Sequence, residues 1–346
     1  MDKLLIFYLT GNDRLFVFDK FKDEIIKSNN VNNIKLLIVN SHSDFSHYIE
    51  QLKDTEIDYE IVQVECPQSD YLPKVRYAIE YAKKHNHKYI FKYDSDVLIP
   101  AYTLDFIVEN LSVLDKEDVL TISPLISNGI PSVEYFIDDF LDKNESEEVR
   151  REFKKCIFQI QGGIMDYTPL NSCTIYSQSD WSGEKYYDSL NSYIDGLVDI
   201  GNGRTPQNYS KFYRGMHPIR HGFGNYALND FIIKKRESFY SKKECYWSEN
   251  THCKQLVAMC FCILTENYDR IMNHENLTID GCDEIPINRF GWNNSLKHLL
   301  ARNGYGIHIV YNWQWFLNET NGGSNIGKPT ISLEQYERNF INSLYE

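Results

Sequence analysis

Two aspartates one residue apart, Asp94 and Asp96, close a short apolar run. Tyr89, Ile90 and Phe91 before them are β-formers, and Pro100 ends the segment. The pair therefore lies where a strand gives way to a loop. Residues i and i+2 of a strand share a face. Two carboxylates on one face repel each other unless a cation lies between them. Mg²⁺ and Mn²⁺ take oxygen ligands of this kind and leave positions open for phosphate. The spacing reads as a metal–diphosphate site, with a solvated acidic turn as the plain alternative. Asp-x-Asp is common by chance, so the surrounding elements must decide.

Those elements alternate. Leu4 to Leu9 reads as a strand, followed by the polar turn that begins at Thr10. Leu15 to Ile26 has helical character, and Ile34 to Val39 is a second buried strand ending in Asn40-Ser41-His42-Ser43-Asp44. Tyr59 to Val64 is a third strand. Leu72 to Lys84 places Val75, Ala78, Ile79 and Ala82 on one helical face, with Lys74 and Arg76 near its start. After the aspartates come a helix over Leu104 to Leu114 and a strand over Val119 to Ile126. Strands alternating with helices predict an α/β fold with an open, mainly parallel sheet. Polar turns after buried strands are where such sheets bind ligands.

Further along, Phe136 to Phe158 is charged and helix-prone, as an inserted hairpin or arm would be. Gly162 and Gly163 precede an apolar pair, and Asn229-Asp230 opens a helix-like run from Phe231 to Arg236. An acid at a helix start suits the dipole. Leu256 to Thr265 is apolar enough for either a buried helix or a strand. Asp283 belongs to an acidic cluster that reads as a solvated turn. Tyr305 to Tyr311 is a late strand carrying His308, which core packing would also explain. Ser332 to Gln335 resembles a capping box opening a last helix. His217 and His221 lack metal-ligand spacing, and Trp313 and Trp315 would share a strand face.

The 346 residues give room for a sizeable core. A net charge of −13 argues against a broad nucleic-acid footprint. Eight cysteines form no C-x-x-C pair, and Cys260 and Cys262 sit in an apolar run as reduced core residues would. The N-terminus lacks the apolar segment and cleavage site of a signal peptide, and no run approaches a membrane span. A cytoplasmic setting is the expectation.

In order along the chain, these pieces resemble the GT-A fold glycosyltransferases, the large inverting family 2 in particular. The carrying motifs are Asn40 to Asp44, Lys74-Val75-Arg76, Tyr93-Asp94-Ser95-Asp96 with Pro100 and Leu104, Gly162 to Met165, and Asn229-Asp230-Phe231. The match is best over the first 125 positions and thins toward Arg236. It implies a Rossmann-like sheet with a nucleotide-sugar half over 1–125, an acceptor-side half over 126–310, and a C-terminal segment over 311–346. It implies transfer of a sugar from a nucleotide-sugar donor, a UDP-sugar favoured, to a glycan, protein or small-molecule hydroxyl, with Mn²⁺ or Mg²⁺ as cofactor. Asp96, Asp94 and His308 are then the metal candidates, with Asp94 also able to contact the donor ribose. Thr10, Asn40, Lys74, Arg76 and Gly163 fall to the donor. Asn40 stands where the family often has a carboxylate that helps read uracil. Asp230 is the candidate base and Asp283 the reserve. Two rivals remain: a haloacid-dehalogenase-like phosphohydrolase, which also uses Asp-x-Asp after an apolar strand, and a non-catalytic sugar- or nucleotide-binding protein.

Overall fold

A computed structural model describes residues 3–11, 14–42, 44–66, 71–127, 132–153, 159–160, 163–164, 223–248, 256–257, 259–274, 283–309 and 333–346. In chain order the elements are β1 (Leu4–Thr10), α1 (Leu15–Lys27), β2 (Ile34–Asn40), α2 (Ser46–Leu52), β3 (Asp58–Gln63), α3 (Leu72–Lys84), β4 (Tyr89–Asp94), β5 (Val97–Leu98), α4 (Ala101–Glu109) and β6 (Val119–Ile126). There follow α5 (Ser132–Phe140), α6 (Lys143–Phe153), β7 (Gln159–Ile160), β8 (Gly163–Ile164), α7 (Phe223–Lys234) and α8 (Arg236–Tyr240). The chain continues through β9 (Tyr246–Trp247), β10 (Cys260–Leu264), α9 (Thr265–His274), α10 (Glu284–Asn293), β11 (Lys297–His308) and α11 (Leu333–Tyr345). Two compact units result: 1–126 with 242–308, and 127–241 with 309–346.

The first unit is built on one sheet of order β3-β2-β1-β4-β10-β6-β11-β5, with β9 paired to β11. Neighbours among β1 to β4 are parallel, as are β6 and β11. The apolar run that fits helix or strand equally well on periodicity is a strand: β10 lies antiparallel between β4 and β6. The fold is thus α/β, with a mostly parallel, Rossmann-like and GT-A-like sheet. β1 is buried almost throughout, as parallel strands covered on both faces must be. Strand alternation divides its side chains. Leu5 and Phe7 pack with Val75, Ala78 and Ile79 of α3 and with Tyr268 and Ile271 of α9. Tyr8 points to the other face, stacking on Phe21 of α1 (4.7 Å between centroids) and on Tyr93 (5.9 Å). The apolar spacing Val17, Phe18, Phe21, Ile25 makes α1 a helix with one buried side. The helix read over 104–114 is two pieces, α4 and a 3-10 turn at Leu111–Asp115.

In the second unit the charged arm is the helix pair α5 and α6. Asp142 begins α6 with a reciprocal cap: its Oδ1 accepts from the Asn144 and Glu145 amides (2.9 and 3.0 Å), and Glu145 accepts from the Asp142 amide (3.0 Å). β7 and β8 form a two-stranded hairpin. α11 ends the chain as expected, though Ser332, its anticipated cap, lies outside the described residues.

Candidate functional site

β1 is followed by β2 on one side and, later, by β4 on the other, so the strand order reverses between β1 and β4. In open α/β sheets the crevice outside the carboxyl ends at such a point takes ligands. Thr10 ends β1 there and Asp94 ends β4, with Leu9 and Asp94 in register. The Ser95 amide donates to the Leu9 carbonyl (3.2 Å), and the Asp94 amide to that of Met259 (3.0 Å). The aspartate backbone is therefore pinned from both neighbouring strands.

The strand stops at Asp94, and Ser95 and Asp96 form a turn. The alternation that would put both carboxylates on one face ends with it, and the two aspartates take different partners. β5, just after Asp96, pairs antiparallel with the end of β11, opposing Val97 to His308. This register sets His308 Nε2 3.1 Å from Asp96 Oδ2, with side-chain exposures of only 5% and 12%. Gly306 lets β11 lie close to β6 just before His308: a Cβ there would lie 2.7 Å from Ile126 Cδ1. The histidine expected in a late strand is thus brought to the second aspartate from more than two hundred residues away.

As it stands, the pair is a buried imidazole–carboxylate contact. Its spacing also suits two adjacent ligands of one octahedral ion, since bonds of about 2.1 Å at right angles put donor atoms roughly 3.0 Å apart. Among the described residues no group of three or more His, Cys, Asp or Glu side chains is disposed to hold a metal ion. One carboxylate and one imidazole instead fit an ion that takes its remaining ligands from water and a bound diphosphate.

Asp94 turns to Lys92, two residues back on the same strand face (Nζ to Oδ1, 3.4 Å). Lys92 is only 1% exposed and also faces Asp283 at 3.5 Å. Asp283 corrects the expectation of a solvated turn, because its side chain is 0% exposed. Its Oδ1 accepts from Tyr71 (2.8 Å), and its Oδ2 accepts a close hydrogen bond from Tyr268. The acidic character of its neighbours in sequence hid this, since the fold inserts this one carboxylate beneath β4 and against α9.

The remaining candidates separate clearly. Lys74 is buried in α3 and donates to the Thr10 carbonyl (2.7 Å), tying the start of α3 to the end of β1. Arg76, two residues on, is exposed. Thr10 shares a hydrogen bond with the Tyr48 hydroxyl (2.8 Å). Asn40 ends β2 fully buried, and its Nδ2 donates to the carbonyls of His42 (2.8 Å) and Asp44 (3.4 Å). Its amide donors thus close its own loop. That loop touches the turn after β1, where a Cβ on Gly11 would be 3.2 Å from Ser41 Oγ.

Gly163 and Asp230 belong to the second unit. Gly163 pairs with Ile160 in the small hairpin. Asp230 corrects an expectation: it does not open a helix, because α7 already begins at Phe223 and has no acid in its first turn. The helix formers Ala227 and Leu228 carry the helix upstream of the apparent cap. Asp230 is exposed by area, yet partial desolvation raises its carboxyl above the usual carboxylate range, with Lys234 working against the rise. Gly162, His217, His221, Trp313 and Trp315 lie outside the described residues.

Lys92, Tyr71 and Tyr268 were not legible as site residues from motif spacing. The one signal was a lysine in the middle of an otherwise apolar strand. Cys260 and Cys262 are free thiols, and burial pushes both well above the ordinary value, so they stay protonated in the core. None of the described helices is long and apolar enough to cross a membrane.

No family model matches the chain, and no curated protein matches it. Among solved structures, it is similar to the mannosyltransferase PcManGT from Pyrobaculum calidifontis, in complex with GDP-Man and Mn²⁺ (16% identity, TM-score 0.31, 37% of this chain and 36% of that one). It is also similar to a cytidylyltransferase from Leptospira borgpetersenii serovar Hardjo-bovis (16% identity, TM-score 0.26, 35% of this chain and 52% of that one). The matched segments span about a third and about half of those two chains, and at these scores neither likeness carries an argument about activity.

Proposed function

We propose that the protein is a metal-dependent glycosyltransferase that moves a sugar from a nucleotide-sugar donor to an acceptor hydroxyl with inversion. The observation that carries this reading is the buried Asp96–His308 pair beside the β1/β4 reversal point. It supplies an oxygen and a nitrogen donor where a sheet of this kind takes its ligand.

In this reading Asp96 and His308 hold a divalent ion, Mn²⁺ or Mg²⁺. Once bound, the ion would offset the charge that develops on the departing nucleoside diphosphate. Asp94, ending β4, accepts a hydrogen bond from the donor ribose. Lys74 braces the turn after β1, on which the donor rests. Arg76, exposed on α3, is left to steady phosphates from the solvent side. Asp230 takes the acceptor proton. Partial desolvation raises its carboxyl, the direction that favours a base. Asp283 has both oxygens engaged and no exposure, so its part is positioning rather than proton transfer.

The test is nucleoside diphosphate release from a panel of nucleotide sugars with Mn²⁺, comparing wild type with Asp96→Ala. Release from one donor, lost with EDTA and reduced at least about 100-fold by the substitution, is expected. A folded wild type that neither releases nor binds any donor would sink the reading.

A further inference from the structure

The lysine in the middle of β4 has no place in the proposed chemistry so far. A buried ammonium is costly unless it is paired. Lys92 meets this with two carboxylates and two rings. Asp94 lies 3.4 Å away on its own strand, and Asp283 lies 3.5 Å away from the segment before α10. Its ammonium sits over the Tyr71 ring (4.9 Å from the centroid) and the Phe261 ring (5.6 Å). Phe261 is its register partner in β10. Asp283 is clamped in turn by the Tyr71 and Tyr268 hydroxyls. The arrangement draws on five segments: β4, β10, α9, the start of α3 and the segment leading into α10. Asp94 is its more exposed carboxylate, with 28% of its side chain open against 0% for Asp283.

We infer that Lys92 is a positioning residue for Asp94, fixing its carboxylate toward the ligand crevice through an ammonium anchored from behind by Asp283. Asp283 and its two tyrosines hold the ammonium in place, and the ammonium holds the one of its two carboxylates that reaches solvent. The ligand consequence rests on the reading of Asp94 as a donor contact. The geometric consequence does not.

Lys92→Met alone leaves the buried Asp283 charge uncompensated and invites misfolding. The test therefore pairs it with Asp283→Asn, which removes both buried charges and keeps their volumes, a replacement that proteins tolerate. Thermal unfolding of the double variant is compared with wild type, as is calorimetric binding of UDP and of GDP, each with Mn²⁺. The expected result is a folded double variant whose affinity for the diphosphate that wild type prefers has fallen about tenfold or more. A double variant that recovers both stability and wild-type affinity would show that the network only supports the fold, and would overturn the inference. Crystal structures of both proteins decide the point without any ligand. Asp94 displaced from its wild-type rotamer in the double variant supports the inference, and Asp94 unmoved overturns it. A wild type that binds neither diphosphate would count against the transferase reading alone, and the crystallographic comparison would still decide the role of Lys92.

Discussion

β11 carries a buried histidine near each end, and the two have opposite chemistry. His298, at the start, shares a hydrogen bond with Thr121 (2.7 Å) and is entirely enclosed. Burial alone depresses its pKa to about 3, so it stays neutral. His308, at the other end, is almost as deeply enclosed but faces the Asp96 carboxylate at 3.1 Å. Burial is common to both and does not distinguish a site from a core. What distinguishes them is the partner, a hydroxyl in one case and a carboxylate in the turn after β4 in the other. Only the second pair offers two donor atoms to a cation.

The sharpest way to break this contrast is to remove each imidazole in turn. His308→Ala should lower Mn²⁺ affinity on the order of 100-fold, while His298→Asn should leave it unchanged, both read by calorimetry. Equal losses would mean that the contrast is false.

The next largest effect concerns pH. The folded His298 pKa lies near 3, below its ordinary 6.5, so below that value the unfolded chain binds a proton that the folded one refuses. Stability therefore rises with pH from about 3 to 6.5 on this account. Between pH 7 and pH 5 the wild type should lose about 2 kcal/mol more than His298→Asn, measured by urea unfolding. Parallel pH profiles would remove the neutral-histidine assignment.

The smallest effect sharpens a different pair. Lys74 is buried against Thr10 and Arg76 is exposed. Arg76→Ala should change stability by less than about 0.5 kcal/mol, while Lys74→Ala should cost about 1–3 kcal/mol. Thermal melts of the two variants check this.

The N-terminal strands and helices were legible because each has a local signal. Mostly apolar runs marked β1, β2 and β6, and helical spacing marked α1 and α3. The change from strand to loop at the aspartates was legible, but the loss of their shared face was not, since β-propensity does not say at which residue pairing stops. Nor was the strand nature of β10, because a short apolar run carries no period that separates a strand from a buried helix. Lys92, Asp283, Tyr71 and Tyr268 converge only through tertiary packing, across as many as 212 residues of chain. Local pattern cannot report such a meeting. His308 was visible as a residue type in a late strand, but its partner depended on the register between β5 and β11.

The antiparallel β10 also sets an order of events during synthesis. β1 to β4 emerge together, but the strand that covers the far side of β4 is made only much later in the chain. At ordinary translation rates the interval is on the order of ten seconds. Throughout it β4 is an open edge, the kind of surface that recruits a strand from another nascent chain. Lys92 stands in the middle of that edge with neither Phe261 nor Asp283 yet in place. A charged side chain there discourages foreign pairing. The residue that ends up sealed beneath the finished sheet thus first serves as a guard on its unfinished border.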